Sequence, residues 1–195
     1  SSFSFPVYAG EMPHMDAYAK YPGSYTYKYP KTGEVNSKVS VHTFDIKSKV
    51  TRIINVPLDE DGYIPRIRFT QDANKLAIMT LNRHQNRLEL YFADPRSTVC
   101  KLALRDETDT YIKESTFDNI IFYPNNFSFV SEKSGFNHLY WYNMNGSLQK
   151  QVTKGSYEVK EFLGYDAQEG SFYYTSNEES PMRQAVYKID RKGKK

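Results

Sequence analysis

The chain has little of what usually marks a disulfide scaffold, a metal cluster or a membrane span. Cys100 is its single cysteine, so neither an intramolecular disulfide nor a cysteine-based metal cluster can form. No apolar run reaches the roughly 18 residues that a transmembrane helix needs. Helix signals are nearly absent too, because only residues 12–23 suggest a turn of helix, and Pro13 and Pro22 bracket it.

The motifs of common catalytic sites are also missing. A serine nucleophile on a strained elbow needs the pattern G-x-S-x-G, which does not occur. The four histidines are far apart and form neither H-x-x-x-H nor H-E-x-x-H. No phosphate-binding or dinucleotide-binding glycine pattern is present. We therefore predict no catalytic residue, no metal and no cofactor for this chain.

The charge pattern gives no indication of a nucleic-acid partner. The net charge is +3, from 26 basic and 23 acidic residues, and the basic residues are scattered. A nucleic-acid-binding surface would show as a basic stripe or patch. The first residues, SSFSFPVYAG, lack the features of a signal peptide. We expect the chain to be part of a longer polypeptide.

Aromatic residues, in contrast, are abundant. They make up 15% of the chain, with 17 Tyr and 12 Phe. Aromatic and β-branched side chains suit the half-buried surface of a strand, so this excess predicts a β-rich fold.

The sequence repeats itself about every 50 residues. Four segments, aligned on Val39, Leu88, Leu139 and Val186, each read as a strand followed by a polar turn. They are KVSVHTFDI (38–46), RLELYFADP (87–95), HLYWYNMNG (138–146) and AVYKIDRKG (185–193). Another short strand is predicted after the first three, in residues 48–56, 97–106 and 147–155.

Hairpins are predicted between these segments. Residues 67–80, 120–132 and 164–176 each read as strand, tight polar turn, strand. A unit of about 50 residues with up to four antiparallel strands is typical of a propeller blade. We predict an all-β partial β-propeller of about four four-stranded blades. A two-sheet sandwich, the alternative, would not show this rhythm.

The strand with His138 and Trp141, and the pairs of acidic residues, could each be a ligand site, but we favour a structural role for both. His138 aligns with Arg87 and Ala185, and Trp141 lies on the same predicted strand, so we expect packing between blades here rather than a ligand site. The acidic pairs, such as Asp106-Glu107 and Glu178-Glu179, are expected to be solvated side chains in polar turns.

Four segments, in order along nearly the whole chain, resemble the dipeptidyl peptidase IV family. YKYPKTGEVNSKVSVHTFDI (27–46) looks like its Y-P-K-x-G-x-x-N-x-x-V segment, and residues 67–94 carry an N-R-x-Q-N cluster. FVSEKSGFNHLYWYNMNGSLQKQVTKGSYEV (129–159) is similar to its S-E-x-x-G-x-x-H-L-Y and T-x-G-x-x-x-V run. YYTSNEESPMRQAVYKID (173–190) resembles the strand pair that follows.

The resemblance implies a specific architecture and activity. In that family an eight-bladed propeller precedes an α/β-hydrolase domain, and the enzyme releases N-terminal dipeptides with proline or alanine second. Residues 1–195 would be part of the propeller domain, without the hydrolase domain. The implied partners are peptide substrates, the hydrolase domain of the same chain and a second copy in a homodimer. The implied location is periplasmic or secreted.

The resemblance also points to candidate site residues in the connection at 105–116. Tyr111 falls where the family tends to place tryptophan, and Glu114 follows at a loop position. We predict that both lie near the substrate cavity, although the segment could be an ordinary connection between blades.

The most unusual polar cluster is NRHQN (82–86), between two apolar strands. We predict that Asn82, Arg83, Gln85 and Asn86 tie adjacent strands together, with ligand binding as the alternative.

We therefore expect a non-catalytic propeller segment of a serine exopeptidase that shapes the substrate-access cavity and part of a dimer surface. The alternatives are a free-standing propeller-like binding module and an inactive homologue.

Overall fold

The structure, a computed structural model, describes residues 2–8, 18 and 20–195. It divides into two compact units, residues 1–38 and 39–195. The predicted turn of helix around residues 12–23 lies for the most part outside the described residues. The strands and one helix are β1 (Ser2–Val7), β2 (Gly23–Lys28), β3 (Val41–Asp45), β4 (Val50–Ile54), β5 (Tyr63–Phe69), β6 (Leu76–Leu81), β7 (Arg87–Ala93), β8 (Cys100–Glu107), α1 (Glu114–Asp118), β9 (Ile121–Phe122), β10 (Asn126–Ser131), β11 (His138–Asn143), β12 (Leu148–Gln151), β13 (Val159–Asp166), β14 (Ser171–Ser176) and β15 (Ala185–Asp190).

The first unit contains one antiparallel hairpin, β1–β2, in which Ser2 pairs with Lys28 and Val7 with Gly23. Aromatic residues alternate along both strands and contact one another on one face of the hairpin. The Phe5 ring lies 5.6 Å from Tyr25 and 5.8 Å from Tyr27, both in edge-on geometry. Such pairs add to the stability of a two-stranded sheet beyond their buried area.

The second unit contains four antiparallel sheets, each with its strands in chain order. They are β3–β4, β5–β8, β9–β12 and β13–β15, with two, four, four and three strands. The four repeated segments form β3, β7, β11 and β15, and the hairpins form β5–β6, β9–β10 and β13–β14. The sequence period therefore predicted the successive blades correctly, and the partial β-propeller is confirmed. Two of the four blades have the predicted four strands.

Alternate residues of one strand face different neighbouring sheets. On β11, Tyr140 and Tyr142 pack against the β5–β8 sheet, whereas Leu139 and Trp141 pack against the β13–β15 sheet. We call the packing between β5–β8 and β9–β12 the first junction, and that between β9–β12 and β13–β15 the second. A third cluster, which includes Val41, Ile54 and Ile78, joins β3–β4 to β5–β8. Because both faces of an inner blade are covered, its two middle strands are almost entirely buried, and all six residues of β6 are buried.

The helix α1 was not predicted from the sequence. It lies in residues 108–120, the connection that leads from the last strand of one blade to the first strand of the next. Within the described part of the chain, no helix is both long and apolar enough to cross a membrane.

Candidate functional site

A polar cleft of about 590 Å³ opens at one end of the first junction. Its walls come from the β6–β7 turn, the end of β8 with residues 108–113, and the β10–β11 turn. These segments meet because each follows or precedes a strand that ends at the same edge of its blade. The cleft brings together residues that are more than 50 positions apart in the sequence, among them Asn82, Asp106, Tyr111 and Lys133.

The 82–86 turn is held by the side chain of Asn82. Its Oδ1 accepts hydrogen bonds from the backbone N–H groups of Asn86 (3.0 Å) and Arg87 (2.9 Å). Its Nδ2 donates to Asn86 Oδ1 at 2.8 Å. An asparagine that replaces backbone partners in this way stabilises a tight turn. Asn82 and Asn86 also line the cleft.

The same turn anchors the connection that follows β8. The carbonyl of Gln85, a residue with φ of 58°, accepts from Ile112 N–H at 2.7 Å. The carbonyl of Asn86 accepts from Thr108 N–H at 3.0 Å. Arg83 turns to the other side and lies over the Tyr63 ring, 5.7 Å from its centroid. Asn82 and Asn86 thus line the cleft, and the backbone carbonyls of Gln85 and Asn86 hold part of its wall.

The two predicted cavity residues are placed differently. Tyr111 lines the cleft and its side chain is 63% exposed. Glu114 is the first residue of α1, not a loop residue as expected, and it is not among the residues that line the cleft. Its Oε1 accepts from Arg66 Nη2 at 3.0 Å.

Arg66 explains why this short helix forms. The guanidinium of this β5 residue binds Glu114 and also Asp118, whose Oδ1 accepts from Arg66 Nε at 3.0 Å. The ends of α1 are thus tied to the first strand of the preceding blade. The hydrogen bond from Arg66 lowers the pKa of the Asp118 carboxyl. Sequence periodicity missed the helix because ESTFD has one buried residue, Phe117, and no repeating apolar face.

Asp106 corrects an expectation from the sequence. It lies within β8, not in a solvated turn, and is only 8% exposed. Its Oδ2 accepts from the hydroxyl of Ser131, which is itself buried, at 2.7 Å. Burial raises the pKa of the Asp106 carboxyl above its usual value. The sequence did contain the signal: Asp106 takes the next inward position after Leu104 on an alternating strand.

Lys133 faces the same cleft from the β10–β11 turn. Its Nζ donates to the Tyr142 hydroxyl at 2.5 Å and lies 4.0 Å from the centroid of the Tyr140 ring. Partial burial lowers the pKa of this amine. Burial also raises the pKa of Tyr142 to about 12, so its hydroxyl stays protonated.

Glu107 and Asp109 also line the cleft, and both are exposed. The other three charged residues of the lining form close ion pairs. Lys113 forms an ion pair with Glu132, and Arg87 with Asp59 at 2.6 Å. Among the residues that the structure describes, no ion pair within 4.0 Å is found for Asp106 or Lys133. Asp106 and Lys133 thus interact with each other only at longer range.

His138, the first residue of β11, is a structural residue that the connection after β12 holds in place. It is 2% exposed, its Nε2 lies 3.0 Å from the Gly155 carbonyl, and its Nδ1 lies 3.0 Å from Thr153 Oγ1. Since a carbonyl only accepts, Nε2 carries the proton and Nδ1 accepts from Thr153. Burial lowers the pKa of this imidazole. Trp141 packs between Tyr165 and Phe172, with ring centroids at 4.8 and 5.0 Å.

In the described part of the chain, no group of three or more His, Cys, Asp or Glu residues is placed to hold a metal ion. Cys100 is partly buried, which raises the pKa of its thiol. The cleft is accordingly a polar candidate site at one end of the first junction.

Comparisons with known proteins place this fold in a family. Residues 3–195 match the sequence model described as "Dipeptidyl peptidase IV (DPP IV) N-terminal region". The chain therefore belongs to the dipeptidyl peptidase IV family and corresponds to its N-terminal region.

Individual relatives agree with this assignment. The crystal structure of Porphyromonas gingivalis dipeptidyl peptidase 4 is similar with a TM-score of 0.87 and 42% identity, over 99% of this chain and 26% of that one. Dipeptidyl peptidase 4 of Trichophyton rubrum is 26% identical, over 96% of this chain and 25% of its own length. Inactive dipeptidyl peptidase 10 of Mus musculus is 23% identical, over 90% and 24%. The chain thus spans about a quarter of these relatives.

Proposed function

We propose that this chain is a propeller segment of a serine exopeptidase that releases dipeptides from the N-termini of peptides. In this proposal residues 1–195 belong to the N-terminal propeller domain, and an α/β-hydrolase domain in the same polypeptide carries the catalytic serine. The segment itself contributes the wall of the substrate-access cavity and part of a dimer surface.

One observation carries the proposal. The similarity to the Porphyromonas gingivalis dipeptidyl peptidase 4 extends over 99% of the chain at 42% identity. Because the chain corresponds to about a quarter of that protein, its role is that of one part of a larger enzyme. The absence of a G-x-S-x-G elbow from the sequence agrees with a non-catalytic role for this part.

Tyr111 is the residue we propose to face the peptide. Its ring is largely exposed at the cleft, in a connection that the 82–86 turn holds in place. An exposed aromatic ring on a fixed backbone can pack against a peptide side chain at low entropic cost. Glu114 acts indirectly, because Arg66 already binds its carboxylate.

The proposal includes a location and partners. A peptidase of this kind would meet its peptide substrates in the periplasm or outside the cell, and would be a homodimer. Light scattering of the full gene product tests whether it is a homodimer. Cell fractionation tests whether it lies in the periplasm or outside the cell.

A second candidate is an inactive homologue with a binding role. The similarity to inactive dipeptidyl peptidase 10 of Mus musculus supports this candidate, because it shows that an inactive protein occurs among the relatives of this chain. A free-standing propeller-like binding module is the third candidate. The sequence of the gene downstream of residue 195 distinguishes them, because only the enzyme needs a serine elbow there.

The decisive experiment is hydrolysis of a Gly-Pro chromogenic substrate by the full gene product and by the 195-residue chain. We expect activity in the full gene product alone. Replacement of Tyr111 by Ala should raise KM and leave kcat nearly unchanged. Phe136→Ala, which removes an aromatic ring that is 40% exposed in the neighbouring β10–β11 turn, is the control and should change neither. If neither the full gene product nor the 195-residue chain hydrolyses the substrate, the inactive homologue or the binding module is favoured.

A further inference from the structure

We propose that the cleft at the first junction binds short peptides by their two free termini, the α-ammonium group at Asp106 and the carboxylate at Lys133. This inference does not depend on the catalytic activity proposed above. It assigns a ligand class to a site on the propeller itself.

The first argument is the cost of the buried carboxylate. Removing a carboxylate from water is expensive unless a cation or several hydrogen bonds compensate for it. Asp106 receives one hydrogen bond from Ser131, and among the described residues it makes no ion pair. A carboxylate accepts up to about four hydrogen bonds, so Asp106 retains the capacity to bind an ammonium group.

The second argument concerns the amine on the other side of the cleft. Lys133 has three N–H donors, and one of them is used by the Tyr142 hydroxyl. The Tyr140 ring beneath it holds the side chain in position through a cation–π contact. A fixed ammonium with free donors is suited to a carboxylate ligand.

The two charges together select the ligand class. A simple cation attracted by Asp106 would be repelled by Lys133, and a simple anion attracted by Lys133 would be repelled by Asp106. A ligand with an ammonium group at one end and a carboxylate at the other satisfies both. The ion pairs Lys113–Glu132 and Arg87–Asp59 neutralise part of the remaining charge. The carboxylates of Glu107 and Asp109 also line the cleft, but both are exposed, so water and salt screen their charge.

The dimensions and the lining fit a peptide. A volume of about 590 Å³ lies in the usual range for small-molecule sites, roughly 300–1,000 Å³. The lining is rich in amide and hydroxyl groups, including those of Asn86 and Thr108. These groups can bind the N–H and C=O groups of a peptide bond.

Isothermal titration of the full chain with the dipeptide Gly-Pro tests the proposal. Gly-Pro would also be a product of the proposed peptidase, so the variants of Asp106 and Lys133 are needed to separate binding at this cleft from binding at a hydrolase domain. We expect saturable binding to the wild-type protein, weakened about tenfold or more when the ligand is N-acetylated or carries a C-terminal amide. Equal binding of all three ligands, or of none, would overturn the proposal.

Two variants assign each terminus to its residue. Asp106→Asn should weaken Gly-Pro binding by a similar factor and should make N-acetylation of the ligand inconsequential. Lys133→Met, which keeps the apolar stem over Tyr140, should do the same for C-terminal amidation. Asp109→Asn changes an exposed carboxylate that lines the same cleft and should leave the affinity within about twofold.

If Asp106→Asn does not fold, the three-ligand comparison with wild-type protein and Lys133→Met still decide the question. If blocking a ligand terminus and removing its proposed partner each weaken binding independently, the losses add. Additive losses would contradict the assignment. A heat that depends on the chloride concentration and not on the peptide would identify the site as an anion site.

Discussion

The first and second junctions are built on the same strand pattern but differ at their ends. Ser131 and Ser176 are the last residues of β10 and β14, the second strands of their blades, and both are buried. Ser131 donates to Asp106 at the base of a cleft. At the corresponding end of the second junction, Tyr157 is buried, and its ring packs against the His138 imidazole at 5.2 Å.

The connection after the last strand of the blade accounts for this difference. In the second junction, residues 152–158 fold back over the interface, and Tyr157 is 7% exposed. In the first, the longer connection 108–120 is tied to the 82–86 turn and, through α1, to Arg66. The strands thus determine that the blades pack, whereas the connections determine whether the end of the interface is core or cleft.

The largest expected effect is on the cores of the two junctions, which should be equally important. Phe127→Ala in the first and Phe172→Ala in the second each remove a ring that is at most 1% exposed. Each should lower the free energy of unfolding by about 3–5 kcal/mol, because a cavity remains. Urea unfolding measures this. The control Phe69→Ala removes a ring that is 91% exposed and should cost less than about 0.5 kcal/mol.

A second effect tests how closely the two blades of the first junction approach. Gly146 has φ of 91°, and a Cβ there would lie 2.1 Å from the Ala103 carbonyl oxygen on β8. Gly135 has a similar φ of 98° with no atom near its Cβ position. Gly135→Ala should cost about 1 kcal/mol, the strain of the left-handed backbone. Gly146→Ala should cost about 1–3 kcal/mol more, since the blades must separate. Equal losses on urea unfolding would contradict the close approach.

A third effect concerns how the stability of the fold depends on pH through His138. The pKa of His138 is lowered in the folded protein, so between that value and about 6.5 the unfolded chain binds more protons. The stability that neutral His138 provides is present above about pH 6.5 and is lost as the pH falls below it. His138→Gln should cost about 1–3 kcal/mol at pH 7.5 and reduce this loss. Unfolding at pH 7.5 and 5.5 gives both numbers, and an unchanged pH dependence would assign the loss to other groups.

The smallest effect concerns Asp106 in the first junction, whose pKa is shifted in the opposite direction to that of His138. Burial raises the pKa of Asp106, while the charge of Lys133 partly opposes the shift. The folded protein therefore binds the proton more tightly, and stability decreases as the pH rises through the raised pKa. Asp106→Asn should change the stability at pH 7 by less than about 1 kcal/mol or increase it. A large loss of stability would mean that Asp106 is a structural residue and not a binding group.

The strands were predictable because the packing of blades imposes a pattern on the sequence. Leu88 and Leu139, 51 positions apart, start equivalent strands, and the turns between them carry asparagine, aspartate or glycine. The helix α1 was not predictable, because Arg66, which holds Glu114 and Asp118, comes from a strand 48 residues earlier. Local propensity contains no information about such a partner.

The candidate site was only partly predictable for the same reason. The resemblance to the family pointed to Tyr111, and the polar turn pointed to Asn82 and Asn86, which line the cleft. Asp106 and Lys133 were missed. The alternation along β8 indicates that Asp106 points inward, but what surrounds Asp106 and Lys133 depends on the contact between two blades.

Leu139 and Tyr140 face different junctions, which determines where in the sequence a substitution at each of them can be compensated. Their side chains are neighbours in the chain, yet they contact different blades, one formed by later residues and the other by earlier ones. A change in size at Leu139 is compensated from within residues 159–189, and one at Tyr140 from within residues 77–122. We therefore expect substitutions at these adjacent positions to be correlated with opposite ends of the chain and not with each other.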